Sequence, residues 1–98
     1  MIKTKVKNEE EFKQSTQDRV VVDFHAQWCQ PCLRLAPVLE EMDVPVVKVD
    51  VDENPDLAQK HGVMSLPTLA VFEGEEELDR IVGTAQRSQI KKLFDNEA

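Results

Sequence analysis

Cysteine is scarce in this chain, with two residues among 98. Small secreted proteins that lack a sufficient hydrophobic core compensate with several disulfides, whereas two cysteines allow one internal bridge at most. A disulfide-framework peptide is therefore excluded, and the fold must rest on packing. A chain of this length buries roughly 60–70% of its unfolded surface. We expect one domain spanning residues 1–98.

Long apolar runs and an excess of basic charge are also missing. No apolar stretch approaches the roughly 20 residues that a membrane-spanning helix needs, and the N-terminal segment carries charges where a signal peptide is apolar. Acidic residues outnumber basic ones by 19 to 12, for a formal net charge of −7. This charge repels nucleic acid and anionic membranes. We therefore expect a cytoplasmic protein that binds neither.

Apolar patterning predicts five strands. Residues 2–7 alternate apolar and polar side chains, and their lysines suit the edge of a sheet. Nearly continuous apolar segments at 20–24, 46–49 and 68–72 predict strands that are covered on both faces. A Glu73-Gly74 turn followed by residues 76–82 predicts an antiparallel hairpin.

Helix-end signals and apolar side chains at helical spacing predict four helices, over residues 9–15, 29–42, 55–61 and from about 88 onward. Asn8 and Asn54 precede the first and third helices as N-caps, and Gly62 ends the third. Pro37 lies inside the second helix and is expected to kink it. The strand, helix, strand order predicts a right-handed parallel crossover.

Cys29 and Cys32 lie where a buried strand gives way to a helix. Three residues apart on the first helical turn, their sulfurs are close enough to form a disulfide. Backbone N–H groups and the helix dipole favour a thiolate there, which is the reactive form in disulfide exchange. We expect Cys29 to be the exposed nucleophile and Cys32 the resolving thiol, with Pro31 stiffening the turn between them.

Two other interpretations of this cysteine pair stay open at this point. The pair could be half of a zinc site, which would need two more ligands. His25 and His61 are the only candidates outside carboxylates, and they fall on different elements without paired spacing. The pair could also be inert and structural.

Several motifs together resemble one known family. They are VVVDFHAQWCQPC, then Ala36-Pro37, Lys48-Val49-Asp50-Val51-Asp52, Asn54-Pro55, Ser65-Leu66-Pro67-Thr68 and Val82-Gly83. In residue type, order and spacing the chain resembles the thioredoxin family over essentially its whole length. A lone CxxC is weak evidence, but WCxPC with an upstream aspartate and a downstream Leu-Pro-Thr is highly specific.

The resemblance implies an α/β fold, a three-layer α/β/α sandwich with a mixed sheet of about five strands and about four helices. It also implies a thiol–disulfide oxidoreductase that reduces protein disulfides by dithiol exchange. No cofactor or metal is implied beyond the redox-active Cys29–Cys32 pair. The implied partners are disulfide-containing client proteins and a thioredoxin reductase that uses NADPH and flavin. The chain itself is expected to be a monomer.

Asp23 is the second informative residue. An ionised carboxylate among valines and a phenylalanine is costly, so burial should raise its pKa, unless the residue lies at a wet strand end. The resemblance implies that Asp23, assisted by Lys48, accepts and returns the proton of Cys32. An ordinary surface lysine on a strand is the alternative for Lys48.

Pro67 precedes a predicted strand, where a plain strand-entry proline is one interpretation. The resemblance instead implies a cis-proline that faces the cysteines, beside a groove for extended peptide. The expected groove residues are Trp28, Gln30, Pro31, Met64, Ser65, Leu66, Pro67, Val82, Gly83 and Thr84. Core packing is the alternative for Met64, Leu66 and Trp28.

The sequence departs from the family pattern at three positions. Gln30 replaces the usual glycine between the cysteines, Leu33 replaces a common lysine, and His25 occupies an often aromatic position. We interpret His25 as a packed or half-exposed side chain without a catalytic role. A protein-disulfide oxidase or isomerase, and a redox-inactive binding module of the same fold, remain as alternative functions.

Overall fold

The computed structural model describes residues 1–96, so Glu97 and Ala98 of the predicted domain lie outside the described residues. The elements in chain order are β1 (Ile2–Lys5), α1 (Glu9–Ser15), β2 (Val20–His25), α2 (Gln30–Glu41), β3 (Val46–Asp50), α3 (Pro55–Lys60), β4 (Thr68–Glu73), β5 (Glu76–Val82) and α4 (Arg87–Asp95). Within residues 1–96, no helix has the length and apolar character needed to cross a lipid bilayer.

The five strands form one mixed sheet in the order β1-β3-β2-β4-β5. The β1/β3 and β3/β2 pairs are parallel, whereas β2/β4 and β4/β5 are antiparallel. Central strand β2 is buried on both faces, because its neighbours exclude water from its edges and helices cover its side chains. The predicted edge strand, interior strands and hairpin are confirmed.

Helices cover both faces of the sheet, as the alternation of side chains along β2 requires. Val21 packs in a cluster with Leu35 and Leu39 of α2 and with Ile90 and Leu93 of α4. Val22 points to the other face, where the cluster includes Phe12 of α1 and Leu57 of α3. The expected three-layer α/β/α sandwich is therefore confirmed.

The helix ends differ in detail from the sequence predictions. Asn8 caps α1, since its Oδ1 accepts a hydrogen bond of 2.9 Å from the Glu11 N–H, and Gly62 follows α3 with φ +63°. Asn54 occupies the N-cap position of α3, but its side chain makes no cap bond. Helix α2 begins at Gln30 with Cys29 as its N-cap, which confirms the expected helix start at the cysteine pair. Pro37 lies within the helix, and its kink stays a prediction.

Candidate active site

The two cysteines lie at the N-terminus of α2, directly after the short loop that follows β2. Cys29 is the N-cap, with extended backbone, and its Sγ accepts a hydrogen bond of 3.2 Å from the Cys32 N–H. Pro31 occupies the first turn, where a missing N–H costs no helical hydrogen bond. The loop and the proline therefore present both sulfurs at the positive end of the helix dipole.

Cys29 and Cys32 are joined in a disulfide, with their Cα atoms 5.2 Å apart. The prediction of an exposed Cys29 is wrong for this oxidised form, since both cysteines are 4% exposed. They form a small buried cluster with Ala26, against which Val51 and Leu66 pack. The apolar neighbours cover the bridge, so a client must approach it along the surrounding surface.

Asp23 lies beneath α2, on the sheet face that it shares with Val21 two residues earlier. Its residue is 1% exposed, and within residues 1–96 neither carboxylate oxygen has a hydrogen-bond partner. Burial raises the pKa of Asp23 to about 6, and the nearby Lys48 charge partly offsets that increase. The prediction of a buried carboxyl is confirmed, and the interpretation as a wet strand end is wrong.

Lys48 pairs with Asp23 in the parallel register of β2 and β3. Its Nζ lies 3.8 Å from Asp23 Oδ2, which is an ion-pair distance but too long for a hydrogen bond. The lysine side chain is only 13% exposed, so it is not an ordinary surface lysine. The pair supplies a carboxyl that changes protonation near neutral pH, on the sheet face that α2 covers.

The Leu66–Pro67 peptide bond is cis, as the resemblance implied. The Pro67 carbonyl accepts a hydrogen bond of 2.8 Å from the Gly83 N–H, so the segment after β5 lies beside Pro67. Leu66 packs against the cysteine cluster. Within residues 1–96 no backbone group pairs with the Leu66 N–H or C=O, which leaves both available to an extended peptide.

Four large apolar side chains are exposed on the segments that flank the cysteines, precede the cis-proline and end β5. Trp28 is 68% exposed, Leu33 50%, Met64 95% and Val82 59%. The Trp28 indole is fixed by a hydrogen bond of 2.8 Å from Nε1 to Asp52 Oδ2. Exposed apolar patches of this kind mark interaction surfaces.

A groove of about 630 Å³ extends from Trp28 along helix α3. We call it the α3 groove, and its lining comprises Trp28, Val51, Pro55, Ala58, Gln59, Gly62, Val63, Met64 and Leu66. Of the predicted groove residues it includes Trp28, Met64 and Leu66, whereas the lining does not include Gln30, Pro31, Ser65, Pro67, Val82, Gly83 or Thr84. The contribution of α3 was missed, although its position after the carboxyl end of β3 is a signal that could have indicated it.

The two histidines lie in different surroundings. His61 stands among aromatic rings, with centroids 5.0 Å from Phe12 and 5.2 Å from Phe72, and burial lowers its pKa. His25 is half-buried at the end of β2, as expected. Across residues 1–96, no three His, Cys, Asp or Glu side chains cluster as metal ligands would.

Comparison with known proteins decides between the interpretations of the cysteine pair. The sequence profile described as Thioredoxin matches residues 3–96. The chain belongs to the thioredoxin family. Thioredoxin 1 of Nostoc sp. is 39% identical, with 86% of this chain and 87% of that protein covered. Thioredoxin of Staphylococcus epidermidis is 44% identical, with 76% and 78% covered.

Solved thioredoxin structures agree with this assignment. A mutant thioredoxin from Halobacterium salinarum superposes with a TM-score of 0.85 at 37% identity, covering 95% of this chain and 88% of that one. Plasmodium falciparum thioredoxin gives a TM-score of 0.84 at 35% identity, covering 97% and 99%.

The thioredoxin relatives and the disulfide together establish the activity. The chain is a thiol–disulfide oxidoreductase, a protein-disulfide reductase of the thioredoxin type. Its substrates contain disulfides, and its partners include a reductase. The oxidase or isomerase and the redox-inactive binding module are not favoured by these findings.

Proposed function

We propose that residues 1–98 act as a single thioredoxin domain in the cytoplasm, as a monomer, with Cys29 as nucleophile and Cys32 as resolving thiol. The observation that carries this assignment is the hydrogen bond from the Cys32 N–H to Cys29 Sγ at the N-terminus of α2. In the reduced protein this N–H and the helix dipole stabilise a thiolate on Cys29, the N-cap. Cys32 lies one turn inside the helix, within reach of a disulfide formed at Cys29.

The reaction proceeds by two exchanges. The Cys29 thiolate attacks one sulfur of the client disulfide, forming a mixed disulfide and releasing the other client thiolate. Cys32 transfers its proton to Asp23 and attacks Cys29 Sγ, which releases the second client thiolate. Lys48 offsets the negative charge of Asp23 when the carboxyl ionises. NADPH, through a flavin-dependent thioredoxin reductase, then returns two electrons to the Cys29–Cys32 disulfide.

The client binds as an extended segment across the apolar surface around the disulfide. Its backbone pairs with the free N–H and C=O of Leu66, while Trp28, Gln30, Pro31 and the Met64–Pro67 segment contact its side chains. Val82, Gly83 and Thr84 complete the contact on the β5 side. Backbone pairing with apolar contacts tolerates many client sequences.

Cysteine variants test the assignment of roles. Wild type should reduce insulin disulfides with dithiothreitol or the reductase system, and Cys29→Ser should be inactive. Cys32→Ser should accumulate a covalent client adduct at Cys29, detectable by mass spectrometry. Equal activity of wild type and Cys29→Ser would contradict the proposal, and adducts at Cys32 in Cys29→Ser would reverse the two roles.

Met64→Gln tests the binding surface. Met64 is 95% exposed, so the fold should tolerate the change. Losing the apolar contact should raise KM for a peptide client by about three- to tenfold, with kcat nearly unchanged. Gln14→Lys on α1, away from the disulfide, serves as the control. An unchanged KM for several apolar peptides would show that Met64 is not part of the client-binding surface.

A further inference from the structure

The buried carboxyl of Asp23 requires a path for its proton. In the proposed reaction Asp23 takes a proton from Cys32 and returns it when the disulfide is reduced again. Because the pKa of this carboxyl is about 6, it also exchanges the proton with solvent between these two steps at pH 7. The residue is 1% exposed and has no hydrogen-bond partner within residues 1–96. Lys48, at 3.8 Å, is the charged group that lies within ion-pair distance of it. Lys48 therefore offers a polar route for proton exchange between Asp23 and solvent.

Lys48 lines a cavity of about 440 Å³, and most of the other lining residues carry polar or charged groups. We call it the His25 cavity; it is lined by Lys5, Val6, Lys7, His25, Gln27, Lys48, Asp50 and Glu53. Asp23, His25 and Lys48 share one sheet face, because Asp23 and His25 are two residues apart on β2 and Lys48 is the register partner of Asp23. A space of this size has room for several water molecules, which the charged and polar side chains in its lining can hydrogen-bond.

We infer that His25 relays protons between Asp23 and solvent through this cavity. The proton that Cys32 gives to Asp23 leaves through water beside Lys48, reaches the imidazole of His25, and passes from there to bulk solvent. No electron moves in this relay, and His25 returns to its neutral form. His25 acts through Asp23 and does not touch the reacting sulfurs, and the inference rests on the proposed function.

The charges around His25 suit this role. Lys48 and Asp50 face it from β3 and Lys5 from β1, with Lys7 and Glu53 at the rim of the cavity. Burial lowers the pKa of His25. The positive charges of Lys48 and Lys5 lower this pKa further, whereas the carboxylate of Asp50 raises it. The imidazole is therefore neutral at pH 7 and able to accept a proton. Histidine is the side chain best suited to exchange protons near this pH.

Stopped-flow mixing of the reduced protein with an aromatic disulfide, whose thiolate product is coloured, tests the relay. The first release of colour reports attack by Cys29, and the second reports attack by Cys32 on the mixed disulfide. In weakly buffered solution at pH 5.5, most Asp23 carboxyls are protonated before mixing and must release that proton before they can accept the one from Cys32. Under these conditions His25→Phe and His25→Gln should slow the second phase roughly ten- to a hundredfold, the low end of acid–base contributions, and leave the first unchanged. Added imidazole should restore the second phase of both variants in a saturable manner, while the wild-type rate should not respond.

His61→Phe is the matched control, because it removes the other histidine from a site lined by aromatic rings. Both its phases should match wild type. An unchanged second phase in both His25 variants would overturn the relay but not the proposed function. A slowed second phase that imidazole does not restore would also overturn the relay, because it would indicate that His25 has a packing role. A wild-type protein without either phase would overturn the proposed function and the relay together.

Discussion

Asp23 combines full burial with a charge that the ion pair to Lys48 offsets only in part. Its carboxylate oxygens lack hydrogen-bond partners within residues 1–96, and the ion pair to Lys48 is long at 3.8 Å. Desolvation therefore outweighs attraction, and the pKa rises from 3.8 to about 6. The folded state binds a proton on this residue more tightly than the unfolded state does. Conformational stability consequently decreases as the pH rises from about 4 through 6.

Asp23→Asn should remove this pH dependence. With a pKa that rises from 3.8 to about 6, wild type should lose roughly 2 kcal/mol of stability between pH 4 and pH 8. Urea unfolding of the oxidised proteins at both pH values measures the difference. The two histidines are common to both proteins and cancel in the comparison. A parallel loss of stability in wild type and variant would contradict the shifted pKa.

Leu33 presents an apolar surface beside the cysteines at a position where lysine is common in the family. It is 50% exposed on α2, so Leu33→Lys should change stability by less than about 0.5 kcal/mol. The added charge should raise the rate constant for peptides with acidic residues near their disulfide by about two- to fivefold at low ionic strength. Salt should suppress the increase.

Gln14→Lys provides the same change of charge on α1, on the opposite side of the sheet. Rate constants with acidic and basic peptides, measured for both variants, separate a local effect from one of net charge. If Gln14→Lys alters the preference as strongly as Leu33→Lys, Leu33 is not a determinant of client choice.

The active site lies where several elements end at one edge of the sheet. Strands β2 and β3 are parallel, so their carboxyl ends meet at the same edge, and the loops after them carry Cys29 and Asp52. The hydrogen bond from Trp28 to Asp52 joins the two loops. Helix α3 follows the β3 loop and forms one side of the α3 groove. Residues distant in the sequence are thereby brought together around the disulfide.

Asn54 holds three elements together at this edge. Its Nδ2 donates to the Val6 carbonyl after β1, at 3.3 Å, and to the Asp50 carbonyl at the end of β3, at 3.0 Å. Asn54→Ala leaves the buried Val6 carbonyl without this donor and should lower the free energy of unfolding by about 1–3 kcal/mol. Urea unfolding should show a lower midpoint with an unchanged slope.

Gln59→Ala is the control for Asn54→Ala, because the Gln59 side chain is exposed on the same helix. Its stability should remain within about 0.5 kcal/mol of wild type. Equal effects of the two substitutions would assign the loss to helix α3 in general instead of to the Asn54 hydrogen bonds.

Two hydrophobic clusters, one on each face of the sheet, stabilise the whole molecule. The disulfide closes a loop with a sequence separation of only three residues. A cross-link of this kind restricts the unfolded chain little, and the loop-entropy relation gives about 2 kcal/mol. The molecule therefore does not depend on its bridge, as expected for a redox carrier that must remain folded in both states.

Reduction of the disulfide should lower the free energy of unfolding by about 2 kcal/mol and leave a cooperative transition. Chemical denaturation with and without a thiol reductant measures this difference, and Cys29→Ser with Cys32→Ser provides a reference without a bridge. Loss of cooperative unfolding in the reduced protein would show that the two clusters are insufficient.

The sequence predicted the elements and the identity of the reactive pair because both depend on local signals. Strand and helix periods, an N-cap such as Asn8 and a terminating Gly62 act within a few residues of the chain. The WCxPC motif, Asp23 and Pro67 fall within the resemblance to the family. These expectations of fold and activity are confirmed, while the catalytic roles stay predictions.

Tertiary structure alone decided the properties that arise from contacts between distant segments. The low exposure of Cys29 follows from Val51 and Leu66 packing against its cluster, and the shared cavity of His25 and Lys48 follows from the register of β2 and β3. The hydrogen bonds of Asn54 replaced its expected local cap. The desolvation of a side chain and the register of two strands depend on many contacts between distant segments, so both are established only in the folded chain. Two cysteines at a helix start, in contrast, can be identified in the sequence itself.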